Sequence, residues 1–208
     1  MTDFETPSDA APSGRRMPAR DLALIAVFAA FLAALGFPGA LTVPGLTVPI
    51  TAQTLGVMLA GCVLGARRAA LAVLTFLVLV AAGLPLLAGG RGGLGVFASP
   101  TAGFLVGWVI GAWVIGRMVE LWRHRFALGW GILANVVGGI AVIYAIGVPV
   151  MAQRSGSTLA KAFAGATVFL PGDLIKAVVA AVVARAVYRG YPLLSRRQER
   201  SGTVGASR

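Results

Sequence analysis

Phe169-Leu-Pro-Gly-Asp-Leu-Ile-Lys176 sets two charges, Asp173 and Lys176, at the head of a largely apolar segment that runs on to Tyr188. Pro171 suits a first helical turn, where its missing N–H costs nothing, so a helix is expected to begin at or beside it. Residues three apart share one helix face, so the carboxylate and the ammonium point into the same space. They can pair to seat the helix against its neighbours, or grip one ligand between them. In a membrane segment such groups cost about 2.5–3.5 kcal/mol each at the bilayer centre and face a bundle interior or a polar cavity.

The surrounding composition makes that setting a bilayer. Of 208 residues 58% are hydrophobic and 12% charged, with a mean hydropathy of +0.86, which excludes an ordinary soluble domain. At about 17–25 residues per crossing the length allows six spans with short connections and no second domain. The expected fold is therefore an all-α integral membrane protein with six transmembrane helices. The spans are Leu22–Phe37, Gln53–Gly65, Ala69–Leu87, Thr101–Val119, Phe126–Val148 and one from Pro171 to about residue 190. Residues 1–20, with three prolines and three arginines, read as a disordered cytoplasmic tail, and 191–208 as a basic cytoplasmic tail around the 21–190 membrane domain. The first apolar run is too long for a signal peptide. Cys62, the single cysteine, lies in an apolar run and reads as a small buried hydrophobe.

Several stretches between the spans carry chemistry. Leu41-Thr-Val-Pro44 and Leu46-Thr-Val-Pro49 repeat around Gly45, and prolines with β-branched residues disfavour helix, so an extended, lid-like loop is expected there. The Gln53–Gly65 span is short for a full crossing and needs shelter by protein or help from the segment before it. Ala88-Gly-Gly-Arg-Gly-Gly-Leu-Gly95 surrounds Arg91 with glycines. Its backbone N–H groups, at Gly90, Gly92 and Gly93 among others, can turn toward an anion beside the guanidinium, or the loop can be a solvated turn. It lacks the Gly-Lys-Ser/Thr ending of a nucleotide-binding loop, so ATPase activity is not expected of this chain. Ser99-Pro100 looks like a cap and first-turn proline. Gly103, Gly107 and Gly111, like Ala26, Ala30 and Ala34 on the first span, leave room for a neighbouring helix backbone. Asn135 is interhelical glue or a ligand contact, with glue the preferred reading. A short interfacial helix is expected between Val148 and Leu170.

Basic residues fix the expected orientation. With both termini inside, Arg15, Arg16, Arg20, Arg67, Arg68, Arg117, Arg123, Arg125 and the six arginines from Arg185 onward are cytoplasmic. That is fourteen of eighteen basic residues, a strong positive-inside bias. The net charge of +11 is thus a matter of topology rather than of nucleic acid. The lid-like loop, the Arg91 loop and the Asp173–Lys176 turn then converge on the outer face. With Phe97, Phe104 and Phe169 near in sequence, they describe a pocket for a small, partly apolar acid. Lys176 or Arg91 would hold the acid group and Asp173 would accept from ligand N–H donors. A rhomboid-like protease is disfavoured, since the lone His124 sits in a cytoplasmic loop.

The chain resembles the BioY family, the biotin-specific substrate-binding (S) components of energy-coupling factor (ECF) transporters. The likeness rests on Val48-Pro-Ile-Thr-Ala-Gln-Thr-Leu-Gly-Val57, Leu59-Ala-Gly-Cys-Val-Leu-Gly65 with two arginines after it, Gly83-Leu-Pro85, Gly89-Gly-Arg-Gly-Gly-Leu-Gly95, Ser99-Pro-Thr-Ala-Gly-Phe104 and the stretch quoted first. These cover most of residues 22–190. Ser99 and Ala102 stand where glycine is more usual. The resemblance implies a bacterial inner-membrane protein that is not an enzyme and that captures biotin from outside. It implies a transmembrane coupling (T) subunit and two cytoplasmic ATPase subunits as partners, so that ATP is used by them and this chain holds no cofactor. Arg91, Asp173 and Lys176 match ligand-contacting motifs, as do Thr51 and Gln53 less directly. Ala26, Ala30 and Ala34 match the face that docks the coupling subunit. A stand-alone vitamin transporter, or an S component for another vitamin, remains as the alternative.

Overall fold

Apolar helices joined by glycine- and proline-containing turns make up the computed structural model, which describes residues 17–37, 51–121 and 127–190. The helices are α1 (Ala19–Ala34), α2 (Gln53–Leu64), α3 (Ala66–Ala81), α4 (Ala102–Leu121), α5 (Leu128–Arg154), α6 (Leu159–Thr167) and α7 (Leu170–Gly190). A 3₁₀ turn, Leu94–Ala98, precedes α4, and α5 contains a π-helical stretch, Val137–Val142. The only strand-like pairing among the described residues is the bridge Leu87↔Arg91. The repeat around Gly45, the basic residues 123–125 and both tails, 1–16 and 191–208, lie outside the described residues.

α2 is the central post. Ten of its twelve residues are buried, as expected of a helix apolar on every side, and it packs against α1, α3, α4 and α7. Protein therefore shelters the short segment that the sequence left in need of support. Gly65 (φ +79°) turns the chain directly from α2 into α3. Gly116 of α4 makes the turn fit, because a Cβ there would run into the backbone of Gly65 and Ala66. The Gly103, Gly107 and Gly111 stripe packs on α5: added Cβ atoms would lie 2.5 Å from Val150 Cβ, 3.1 Å from Ile143 Cα and 2.5 Å from the Gly138 oxygen. These glycines are close-packing positions.

Three expectations need correction. α3 ends at Ala81 rather than Leu87, because the chain takes φ +105° at Gly83 and meets Pro85; the Gly93 N–H then folds back onto the Val80 carbonyl at 2.8 Å. α5 continues past Val148 to Arg154, with Pro149 inside it. Pro149 is exposed, so its ring and the lost backbone bond are accommodated at the surface. Ser99 does not cap α4: its hydroxyl donates to the Val96 carbonyl at 2.6 Å, back into the 3₁₀ turn. The expected short helix is present as α6, with Thr158 capping it through the Lys161 N–H.

α4 and α5 are each long and apolar enough to cross a membrane, and α6 with α7 would make a third span bent by 54°. Leu74, Val78, Val106, Ile110, Val178 and Val182 are large apolar residues left on the outside, the surface a bilayer requires. Charges gather at one end of the bundle. There Arg68 pairs with Asp21 at 3.0 Å, and Glu120 accepts the Ala66 N–H at the start of α3 at 3.0 Å.

Candidate functional site

The opposite end holds the starts of α2, α4 and α7, the loop after α3 and the second half of α5, gathered around one cavity. α7 begins as the sequence predicts: Pro171 lies in the first turn with Asp173, whose N–H bonds to the Phe169 carbonyl at 2.9 Å. Asp173 is buried, at 4% exposure. Its Oδ1 accepts from Lys176 Nζ at 2.8 Å and from Thr54 Oγ1 at 3.3 Å, and its Oδ2 accepts from the Tyr144 hydroxyl at 2.6 Å. Lys176 Nζ donates also to the Thr51 carbonyl at 2.6 Å and to Thr54 Oγ1 at 3.0 Å. Each of the three ammonium hydrogens thus has an acceptor.

Arg91 closes the cavity from the loop after α3. The bridge with Leu87 is carried by two backbone bonds, 3.0 and 3.2 Å, and Gly89 and Gly90, at φ +80° and +70°, supply the turn between them. Arg91 Nε donates weakly to the Ala88 carbonyl at 3.4 Å; among the described residues its terminal nitrogens meet no acceptor. The local balance is two cations to one buried carboxylate, a field suited to an anion.

Of the expected site residues, Arg91, Asp173, Lys176, Thr51 and Gln53 all line this cavity. Gly90, Gly92 and Gly93 do not; they shape the loop, and a Cβ on Gly92 would collide with the Leu84 backbone. Gln53 is almost wholly buried. Its amide nitrogen bonds to the Leu32 and Leu86 carbonyls at 3.2 and 3.1 Å, and its oxygen takes the Ala88 N–H at 3.1 Å. It braces the Arg91 loop to α1 and α2. Phe104 and Phe169 line the cavity, whereas Phe97 packs against the core. Asn135 is glue: it donates to the Ala177 carbonyl at 3.0 Å and accepts from the Cys62 thiol at 3.3 Å. Ala26, Ala30 and Ala34 are exposed along the outside of α1 and do not line the cavity.

Thr54, Tyr144, Thr101 and Trp108 also line the cavity and escaped the sequence reading. Thr54 follows Gln53 directly, in the first turn of α2, and could have been found from that adjacency. Tyr144 carried no signal, since a lone tyrosine in an apolar span reads equally as core. The cavity measures about 70 Å³, well under the roughly 300–1,000 Å³ of an organic-ligand site. An organic occupant has to displace lining side chains.

The family model described as the BioY family matches residues 8–193. A biotin transporter BioY from Rhizobium etli is 54% identical over 87% of this chain and the whole of its own length. One from Rhodobacter capsulatus is 50% identical over 85% of this chain and 98% of its own. A crystal structure of the S-component for biotin from an ECF-type ABC transporter superposes with a TM-score of 0.79 at 28% identity, over 84% of this chain and 95% of that one. With its bundle of apolar helices and this match over nearly all of its length, the chain is a member of the BioY family.

Proposed function

We propose that this protein is the S component of a biotin uptake system, capturing biotin at the outer side of a bacterial inner membrane for import driven by separate subunits. The observation that carries this is the convergence of Arg91, from the loop after α3, with Asp173 and Lys176, from the head of α7, on one cavity. The pentanoic acid of biotin is matched by Arg91 and Lys176, and the ureido ring by Asp173. The acid replaces the Thr51 and Thr54 oxygens around Lys176, and the cavity widens as it does so. Gln53 acts indirectly, by holding the Arg91 loop.

Six crossings, with both termini inside, accord with the charged end formed by Asp21, Arg68 and Glu120 and with the arginine distribution. The exposed Ala26, Ala30 and Ala34 edge of α1 is the docking face for a T subunit, itself joined to two ATPases that use the ATP. The relatives are transporters by name, and binding rather than bond-breaking is what the cavity's groups are suited to do. Vesicles carrying the purified chain alone should bind biotin without concentrating it, and should accumulate it when a coupling module and ATP are added. Accumulation by the chain alone would make it a stand-alone transporter.

A further inference from the structure

Tyr144 reaches Asp173 only because α5 is not a regular helix. Asn135 and Tyr144 both bond to α7, at Ala177 and Asp173. Nine positions of regular α-helix turn through about 900°, which puts two such side chains on opposite faces. The π-helical Val137–Val142 widens the intervening turns, and each residue it absorbs takes about 100° off that separation, swinging both toward α7. Gly138 and Gly139 let it pack, since Cβ atoms there would lie 2.5 Å from Ile115 and 2.6 Å from Met58. Phe104 sets the ring of Tyr144 edge-on at 6.0 Å.

The resulting pair is a hydroxyl donor and a carboxylate acceptor 2.6 Å apart, both facing the cavity. Oδ1 of Asp173 is occupied by Lys176 and Thr54, while Oδ2 receives, among the described residues, only Tyr144. A donor beside an acceptor at this spacing complements one edge of a cyclic urea or lactam, where an N–H and a C=O lie side by side. We infer that Tyr144 is a specificity-determining residue. On binding, its O–H swings from Asp173 Oδ2 to the ligand's ureido oxygen, and Oδ2 takes the adjacent N–H. No bond other than hydrogen bonds changes. The inference rests on the biotin reading above and adds to it a residue and a contact.

The test is equilibrium titration of the full chain and of Tyr144→Phe with biotin and with the analogue that has sulfur in place of the ureido oxygen, a much weaker acceptor. The wild type should prefer biotin by roughly five- to tenfold, the worth of one hydrogen bond. Tyr144→Phe should weaken biotin by a similar factor and bring the preference close to one. A merely structural tyrosine would weaken both ligands equally and leave the preference unchanged, which overturns the inference. So does a wild type that binds both ligands alike. A monodisperse wild type that binds neither overturns the biotin reading itself.

Discussion

At the residue scale, the ion pair Lys176–Asp173 is a paired cost rather than a source of stability, with the two side chains only 16% and 6% exposed. Removing one partner strands the other charge; replacing both need not. Lys176→Met is accordingly expected to destabilise by about 3 kcal/mol and to lower the apparent melting temperature in detergent more than Lys176→Met with Asp173→Leu does. A double variant less stable than the single would show that the pair itself holds the fold. Gln53 makes a second case. Gln53→Leu leaves the Leu32 and Leu86 carbonyls and the Ala88 N–H without their partner, at about 1–3 kcal/mol for each buried group. It should therefore lower both the melting temperature and ligand affinity, although its amide is spent on backbone. From the sequence, Asp173, Lys176 and Arg91 could be found because charge is expensive in an apolar chain. Thr54 and Tyr144 could not be found that way, because a neutral hydroxyl in a membrane helix costs little and so stands out little.

At the scale of elements, the head of α7 and the sheltered α2 were legible because Pro171, Gly65 and the arginines after it act within one or two residues of where they sit. The ends of α3 and α5 were not. Whether Pro149 stops a helix depends on what surrounds it, and Gly83 turns the chain only because Gly93 can fold back onto Val80. The π-helical stretch has no local signature at all, since Gly138 and Gly139 make it possible only against Ile115 and Met58. Glycines can be ranked by what they face. Gly111→Ala sets a Cβ 2.5 Å from the Gly138 oxygen, whereas Gly129→Ala meets nothing within 4 Å. The first should cost about 1–3 kcal/mol and the second should be neutral or slightly stabilising, as judged by thermal unfolding of the two variants side by side. Equal effects would mean that α4 and α5 are less closely packed than their geometry requires.

For the whole molecule, the cavity and the outer face of α1 are separate surfaces, and the proposed function gives them separate roles. Ala30→Trp enlarges an exposed side chain and touches nothing in the cavity, so the isolated variant should bind biotin with unchanged affinity while uptake with a coupling module fails. Loss of binding in that variant would mean that the α1 face belongs to the site. The measurement that bears most directly on the central claim is calorimetric titration of biotin into the purified, monodisperse chain, with Asp173→Asn, Lys176→Ala and Arg91→Ala in parallel. Tight binding by the wild type, weakened at least tenfold by each substitution, is the predicted result; each removes a charge-assisted hydrogen bond worth about 1.5–3 kcal/mol. Wild-type binding that all three variants retain would place the ligand elsewhere, and a folded wild type that ignores biotin would contradict the proposed function outright.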